Sequence, residues 1–75
     1  MRYFFDLIQS EKSLLDYKGD DFISVNAAKD FAETTAQRLA NSLSGEWLGW
    51  TVEVRCPAGK KCLSVPIGRA MGLAA

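Results

Sequence analysis

The stretch Ser24-Val25-Asn26-Ala27-Ala28-Lys29-Asp30-Phe31-Ala32-Glu33-Thr34-Thr35-Ala36-Gln37-Arg38-Leu39-Ala40-Asn41-Ser42-Leu43-Ser44-Gly45 carries the helical period of this chain. Ala28, Ala32, Thr35, Ala36, Leu39, Ala40 and Leu43 recur at spacings of three and four, while Lys29, Asp30, Glu33, Gln37, Arg38 and Asn41 fall on the other side. That pattern predicts one helix over about residues 25 to 43 with a single buried stripe. The Ser24 hydroxyl can accept N–H groups of the first turn, and Gly45 stands where a left-handed residue commonly closes a helix. A stripe built largely of alanine lets the helix come close to whatever it covers, so bulky side chains are expected opposite it.

Those bulky side chains flank the helix in the sequence. Arg2-Tyr3-Phe4-Phe5-Asp6-Leu7-Ile8 reads as a strand apolar on both faces. Tyr3, Phe5 and Leu7 point one way, and Phe4 and Ile8 point the other with Asp6 between them, which suits a central strand. Ser13-Leu14-Leu15-Asp16-Tyr17 and then Phe22-Ile23 predict an antiparallel second strand, interrupted at Gly19, where positive φ comes at low steric cost. Beyond the helix, a third strand over about 47 to 56 turns Trp50, Val52, Val54 and Cys56 to the core and Thr51, Glu53 and Arg55 outward. Pro57-Ala58-Gly59-Lys60 makes a tight turn, and a fourth strand over about 61 to 67 returns through Leu63, Val65 and Ile67. Pro66 lacks a backbone donor, which places that strand at an edge. The expected architecture is α+β in the order ββαββ: a four-stranded antiparallel sheet of spatial order 2-1-3-4 with one helix on one face. It forms a single domain over residues 1–67, with 68–75 as a flexible tail.

Register bears on the two cysteines. With Leu63 and Val65 on the same face as Val52 and Val54, regular pairing sets Val54 against Leu63, Arg55 against Cys62 and Cys56 against Lys61. Cys56 and Cys62 are then expected on opposite faces of the sheet, as free thiols with no intramolecular disulfide.

Composition narrows the classes of function. The chain has 75 residues, is 48% hydrophobic and 24% charged, and contains no histidine. It is therefore expected to fold as one small soluble domain that lacks the side chain most used for proton transfer near neutral pH and for binding transition metals. No apolar run approaches the ~18 residues a membrane span needs, Asp6 falls where a signal peptide would be apolar, and two cysteines are few for a secreted disulfide scaffold. A cytoplasmic protein is the expectation.

The spacing Arg2-Tyr3-Phe4-Phe5-Asp6, Asp16 with Gly19, Ala28, Ala32, Ala36 and Leu39-Ala40 leads into Gly49-Trp50-Thr51-Val52-Glu53-Val54, Gly59 and Val65-Pro66. The whole resembles an uncharacterised family of short proteins from rhizobia and related alphaproteobacteria, over about residues 2 to 67. The resemblance implies a bacterial cytoplasmic origin and no particular activity. Cys56 departs from the pattern, in which an acidic or polar residue precedes the turn.

An enzyme needs a positioned nucleophile or a general acid and base. Cys56, with Arg55, Lys60 and Lys61 nearby in sequence, and the carboxylates Asp6, Asp16, Asp20 and Asp21 are the candidates. The inward placement of Cys56 makes it a core residue, and the acids lack the ligand spacing of a calcium loop. No catalytic, cofactor or metal site is expected. Residues 1–53 hold nine acids against five bases, whereas Arg55, Lys60, Lys61 and Arg69 stand in residues 54–75 with no acid. That basic hairpin is either a solvated face or a nucleic-acid contact. One helix covers only one face of a four-stranded sheet, leaving Phe4, Ile8 and Trp47 as a candidate interface on the other. The expectation is thus a non-enzymatic protein-interaction or regulatory domain that self-associates through the uncovered sheet face or an edge strand. The alternative is a nucleic-acid-binding or antitoxin-like regulator using the basic hairpin.

Overall fold

The computed structural model of the protein describes residues 1–68. Strand β1 (Arg2–Gln9) is followed by two short strands, β2 (Lys12–Leu14) and β3 (Asp20–Asp21), then helix α1 (Val25–Ala40), β4 (Thr51–Arg55) and β5 (Lys61–Pro66). All pairings are antiparallel, in the order β2-β1-β4-β5, with β3 also pairing with β1. The α+β architecture and its strand order match the expectation, except that the second strand is two pieces. β2 leaves β1 after Leu14 pairs with Leu7, and β3 returns where Asp20 pairs with Tyr3. Pro66 lies in the β5 edge strand, where its missing donor costs no ladder bond.

The helix begins as its sequence requires. Ser24 is extended and its Oγ accepts the Ala27 N–H at 3.2 Å. It ends at Ala40, three residues earlier than the periodicity predicts. Asn41 leaves the helical region, and Gly45 adopts φ 66° within a run of turns that carries the chain back to the sheet. Leu43, expected in the buried stripe, is wholly exposed as a result. Ala28, Ala32, Ala36 and Ala40 are all buried, in one cluster with Tyr3, Val52, Val54 and Ile67. Because the stripe is only methyl groups, the backbone of α1 lies close over β4 and β5.

Two further departures from the sequence reading follow from backbone geometry. The third strand starts at Thr51 rather than 47, because Gly49 sits at φ 91°, outside the range of a strand. Trp47 is therefore in the connecting turns, packed on the core and edge-to-face with Trp50 at 5.2 Å, and not on the reverse of the sheet as expected. In the β4–β5 hairpin the pairs Val52–Val65 and Val54–Leu63 form as predicted, but a bulge then sets Arg55 against Lys61 and leaves Cys62 as the extra residue. Cys56 and Cys62 thus both pack against the core instead of facing opposite sides.

Overfilling the methyl stripe checks this packing. Ala32→Leu should destabilise the fold by about 1–3 kcal/mol, since the helix must rise off the sheet to fit it. Thr34→Leu on the exposed side should change stability by less than about 0.5 kcal/mol. Denaturant midpoints measured side by side read the difference.

Candidate interaction surface

On the face of the sheet away from α1, the side chains are Phe4, Asp6 and Ile8 from β1 and Glu53 and Arg55 from β4. Asp6 is 2% exposed. An aspartate buried in an apolar strand needs partners, and it has three donors. Arg55 Nε reaches Asp6 Oδ2 at 2.7 Å, Arg55 NH2 reaches Oδ1 at 3.2 Å, and the Asp16 backbone N–H donates to Oδ1 at 2.8 Å. Arg55 also donates to the Asp16 carbonyl at 2.8 Å, and its guanidinium lies 4.8 Å above the Phe4 ring.

Asp16 in turn occupies the gap between β2 and β3. Its carboxylate accepts the Phe5 N–H at 3.1 Å, on the edge of β1 left open between β2 and β3, and the N–H groups of Lys18 and Gly19 at 3.0 Å each. Gly19 permits this close passage: its φ is 72°, and a Cβ there would lie 2.9 Å from the Tyr3 carbonyl oxygen. Burial pushes the Asp16 carboxyl up, but the Gly19, Phe5 and Lys18 N–H groups and the Arg55 charge outweigh it and hold the pKa below its usual value.

The residues singled out from sequence are dispersed by this arrangement. Phe4 and Ile8 do lie on the reverse face, both half-buried, with Arg55 stacked on Phe4 and the Leu15–Gly19 loop alongside. Of the basic hairpin, Arg55 is committed to Asp6, Lys61 is 3.8 Å from Glu53, and Lys60 is exposed in the turn. Arg69 lies outside the described residues, as does the tail from 69 to 75. Of the acidic candidates, Asp16 is held by backbone donors, Asp21 pairs with Arg2 at 3.4 Å, and Asp20 is exposed. Among the described residues they do not gather into a group of metal-ligating side chains. The Asp6–Arg55 pair was missed as a unit. The available signal was an aspartate inside a two-faced apolar strand, which demands a cation on the same face of a neighbouring strand.

A second apolar surface lies on the helix side. Because α1 rests over β4 and β5, the β1–β2 half of that face is only partly covered. Phe5 and Leu7 are half-buried there, and Leu14, cross-strand from Leu7, is exposed. Phe31 closes on Phe5 at 5.0 Å and on Phe22 at 5.2 Å, yet remains 42% exposed. A shallow groove along this flank of α1 is lined by Asp30, Phe31, Thr34, Thr35, Arg38 and Leu39. These are two adjacent rows on the helix, Phe31-Thr35-Leu39 apolar and Asp30-Thr34-Arg38 bearing one charge of each sign. The stripe expected from the sequence includes Thr35 and Leu39 with the alanines but omits Phe31, which precedes them at intervals of four.

The fold and these surfaces define a small α+β domain, one helix on an antiparallel sheet, braced on its reverse by an ion pair between a buried aspartate and a half-buried arginine. The chain belongs to the family described as a domain of unknown function, DUF6894, whose family model matches residues 2–68. No curated protein and no solved structure matches it.

Asp6→Asn keeps the shape but leaves the Arg55 fork poorly satisfied, and should lower stability by about 2–4 kcal/mol. Arg2→Gln, at the exposed pair with Asp21, should cost less than about 1 kcal/mol. The depressed Asp16 pKa sets a pH dependence. The unfolded chain takes up that proton more readily, so the stabilisation is complete above the usual value of 3.8 and disappears as pH falls through the lower folded value. Unfolding curves from about pH 5 to 2 should show a steeper acid loss for the native chain than for Asp16→Asn.

Proposed function

We propose that this chain is a non-enzymatic bacterial protein-interaction domain of the cytoplasm that docks a second copy of itself along the flank of α1. The observation that carries the reading is the Phe31-Thr35-Leu39 row. It is apolar, and it continues into the half-covered Phe5, Phe22 and Leu7 and the exposed Leu14. An open apolar strip of this kind on a small domain marks an interface.

Charge placement favours a second copy as the occupant. Two copies of α1 packed antiparallel about a two-fold axis near Thr35 set Phe31 against the partner's Leu39. The same axis sets Asp30 against the partner's Arg38, and the reverse pair follows by symmetry. The surface is thus complementary to itself in sign. It replaces the reverse face as the self-association surface, because there Arg55 already stacks on Phe4 and the Leu15–Gly19 loop lies alongside. The non-enzymatic reading is supported by the absence of histidine and by the engagement of Asp6 and Asp16 in hydrogen bonds within the fold.

Sedimentation equilibrium over micromolar to millimolar concentrations tests the reading. The native chain should dimerise, Thr35→Arg on the axis should abolish it, and Asp30→Arg or Arg38→Asp alone should weaken it about tenfold, or about 1.4 kcal/mol. The double exchange Asp30→Arg with Arg38→Asp should restore it. A monomer throughout the range, or a dimer indifferent to these changes, would show that the helix flank is not the interface.

A further inference from the structure

The β4–β5 bulge brings together two thiols that regular pairing would separate. Cys56 follows Val54 by two residues and shares its core-facing side. Its N–H donates to the Lys60 carbonyl at 2.7 Å and its carbonyl accepts the Gly59 N–H at 2.8 Å, so the Pro57-Ala58-Gly59 turn holds it in place. Cys62, unpaired in the ladder between the Arg55–Lys61 and Val54–Leu63 pairs, is turned to the same side, and its Sγ donates to the Val54 carbonyl at 3.3 Å. Both are free, half-buried thiols against the core. Each is reached from the exposed end of the hairpin, where Pro57 to Lys61 are all open to solvent.

From this juxtaposition we infer that Cys56 and Cys62 are a redox modification site, closing to an intramolecular disulfide under peroxide and reopening under thiol reductants. The reading is independent of self-association through α1. The two sulfurs have unequal roles. Burial first, and then the neighbouring Cys56 thiol, push the Cys62 thiol up to about 11, so it stays protonated at neutral pH. Because the Cys62 Sγ–H is already engaged with the Val54 carbonyl, Cys56 is assigned as the attacking sulfur and Cys62 as the resolving one. Its thiolate attacks one oxygen of hydrogen peroxide: the S–O bond forms, the O–O bond breaks, and the departing hydroxide takes a proton to become water. Cys62 sulfur then attacks the Cys56 sulfenic acid. The S–S bond forms, the S–O bond breaks, and the hydroxyl leaves as water with the Cys62 proton. Two thiols and one peroxide yield one disulfide and two waters.

The bulge is what makes this chemistry local. Without it Cys62 would stand opposite Arg55 on the reverse face, with the sheet between the sulfurs. The disulfide would also pin the bulge, because Cys62 could no longer slip back into the ladder.

The test treats the native chain with dilute hydrogen peroxide, denatures it, alkylates it and measures intact mass. The expected product is a monomer that has lost two hydrogens, takes up no alkylating agent, yields a Cys56–Cys62 cross-linked peptide, and regains both thiols with dithiothreitol. In Cys62→Ser, a sulfenic-acid probe should label Cys56, and the same probe should label Cys56→Ser at least tenfold more slowly. Two thiols still alkylated after peroxide, or a disulfide found only between chains, would overturn the proposal.

Discussion

The fold turns on the attachment of Asp6 to Arg55. A carboxylate in the middle of a central strand is tolerated only if its charge is answered on the spot, and here the guanidinium from β4 engages both of its oxygens. That one pair ties β1 to β4, residues far apart in the chain. Through the Asp16 N–H and carbonyl it also fastens the Leu15–Gly19 excursion to the sheet. The excursion is not a defect in the second strand. Asp16 substitutes a carboxylate for the missing strand where β1 would otherwise leave the Phe5 N–H without a partner.

The other face is governed by size rather than charge. Four methyl groups in a row bring α1 down on β4 and β5, where Val52 and Val54 are fully buried. The bulky aromatics are displaced to one side of the helix, where Phe5, Phe22 and Phe31 pack edge-on or tilted against one another and Tyr3 meets Phe22. A helix placed off-centre on a sheet leaves apolar surface beside it. The apolar surplus that small domains commonly carry is found here next to the helix as well as on the bare side of the sheet.

The DUF6894 family match over residues 2–68 takes in the whole scaffold: the aromatic first strand, the alanine helix and the Gly-Trp-x-Val-x-Val approach to β4. Arg55, which the charge pattern grouped with Lys60 and Lys61 as a basic hairpin, is drawn into the fold as a counter-ion. Cys56 and Cys62 are gathered by a single inserted residue at the hairpin end.

Local pattern alone determined a good deal of this protein. Alternation in β1 and β4, the alanine period, the Ser24 cap, the Pro57–Gly59 turn and the edge position of Pro66 were legible because each follows from contacts within a few residues or from steric limits on one. What the tertiary structure decided depends on where separate segments meet. Helix length was set by the turns that return the chain to the sheet, and Trp47 was turned to the core by the positive φ of Gly49. The partner of Asp6, the lateral position of α1 and the meeting of two thiols are all facts of register and spacing between strands. A one-residue slip in pairing costs the sequence no local preference, yet it moves every side chain beyond it to the other face.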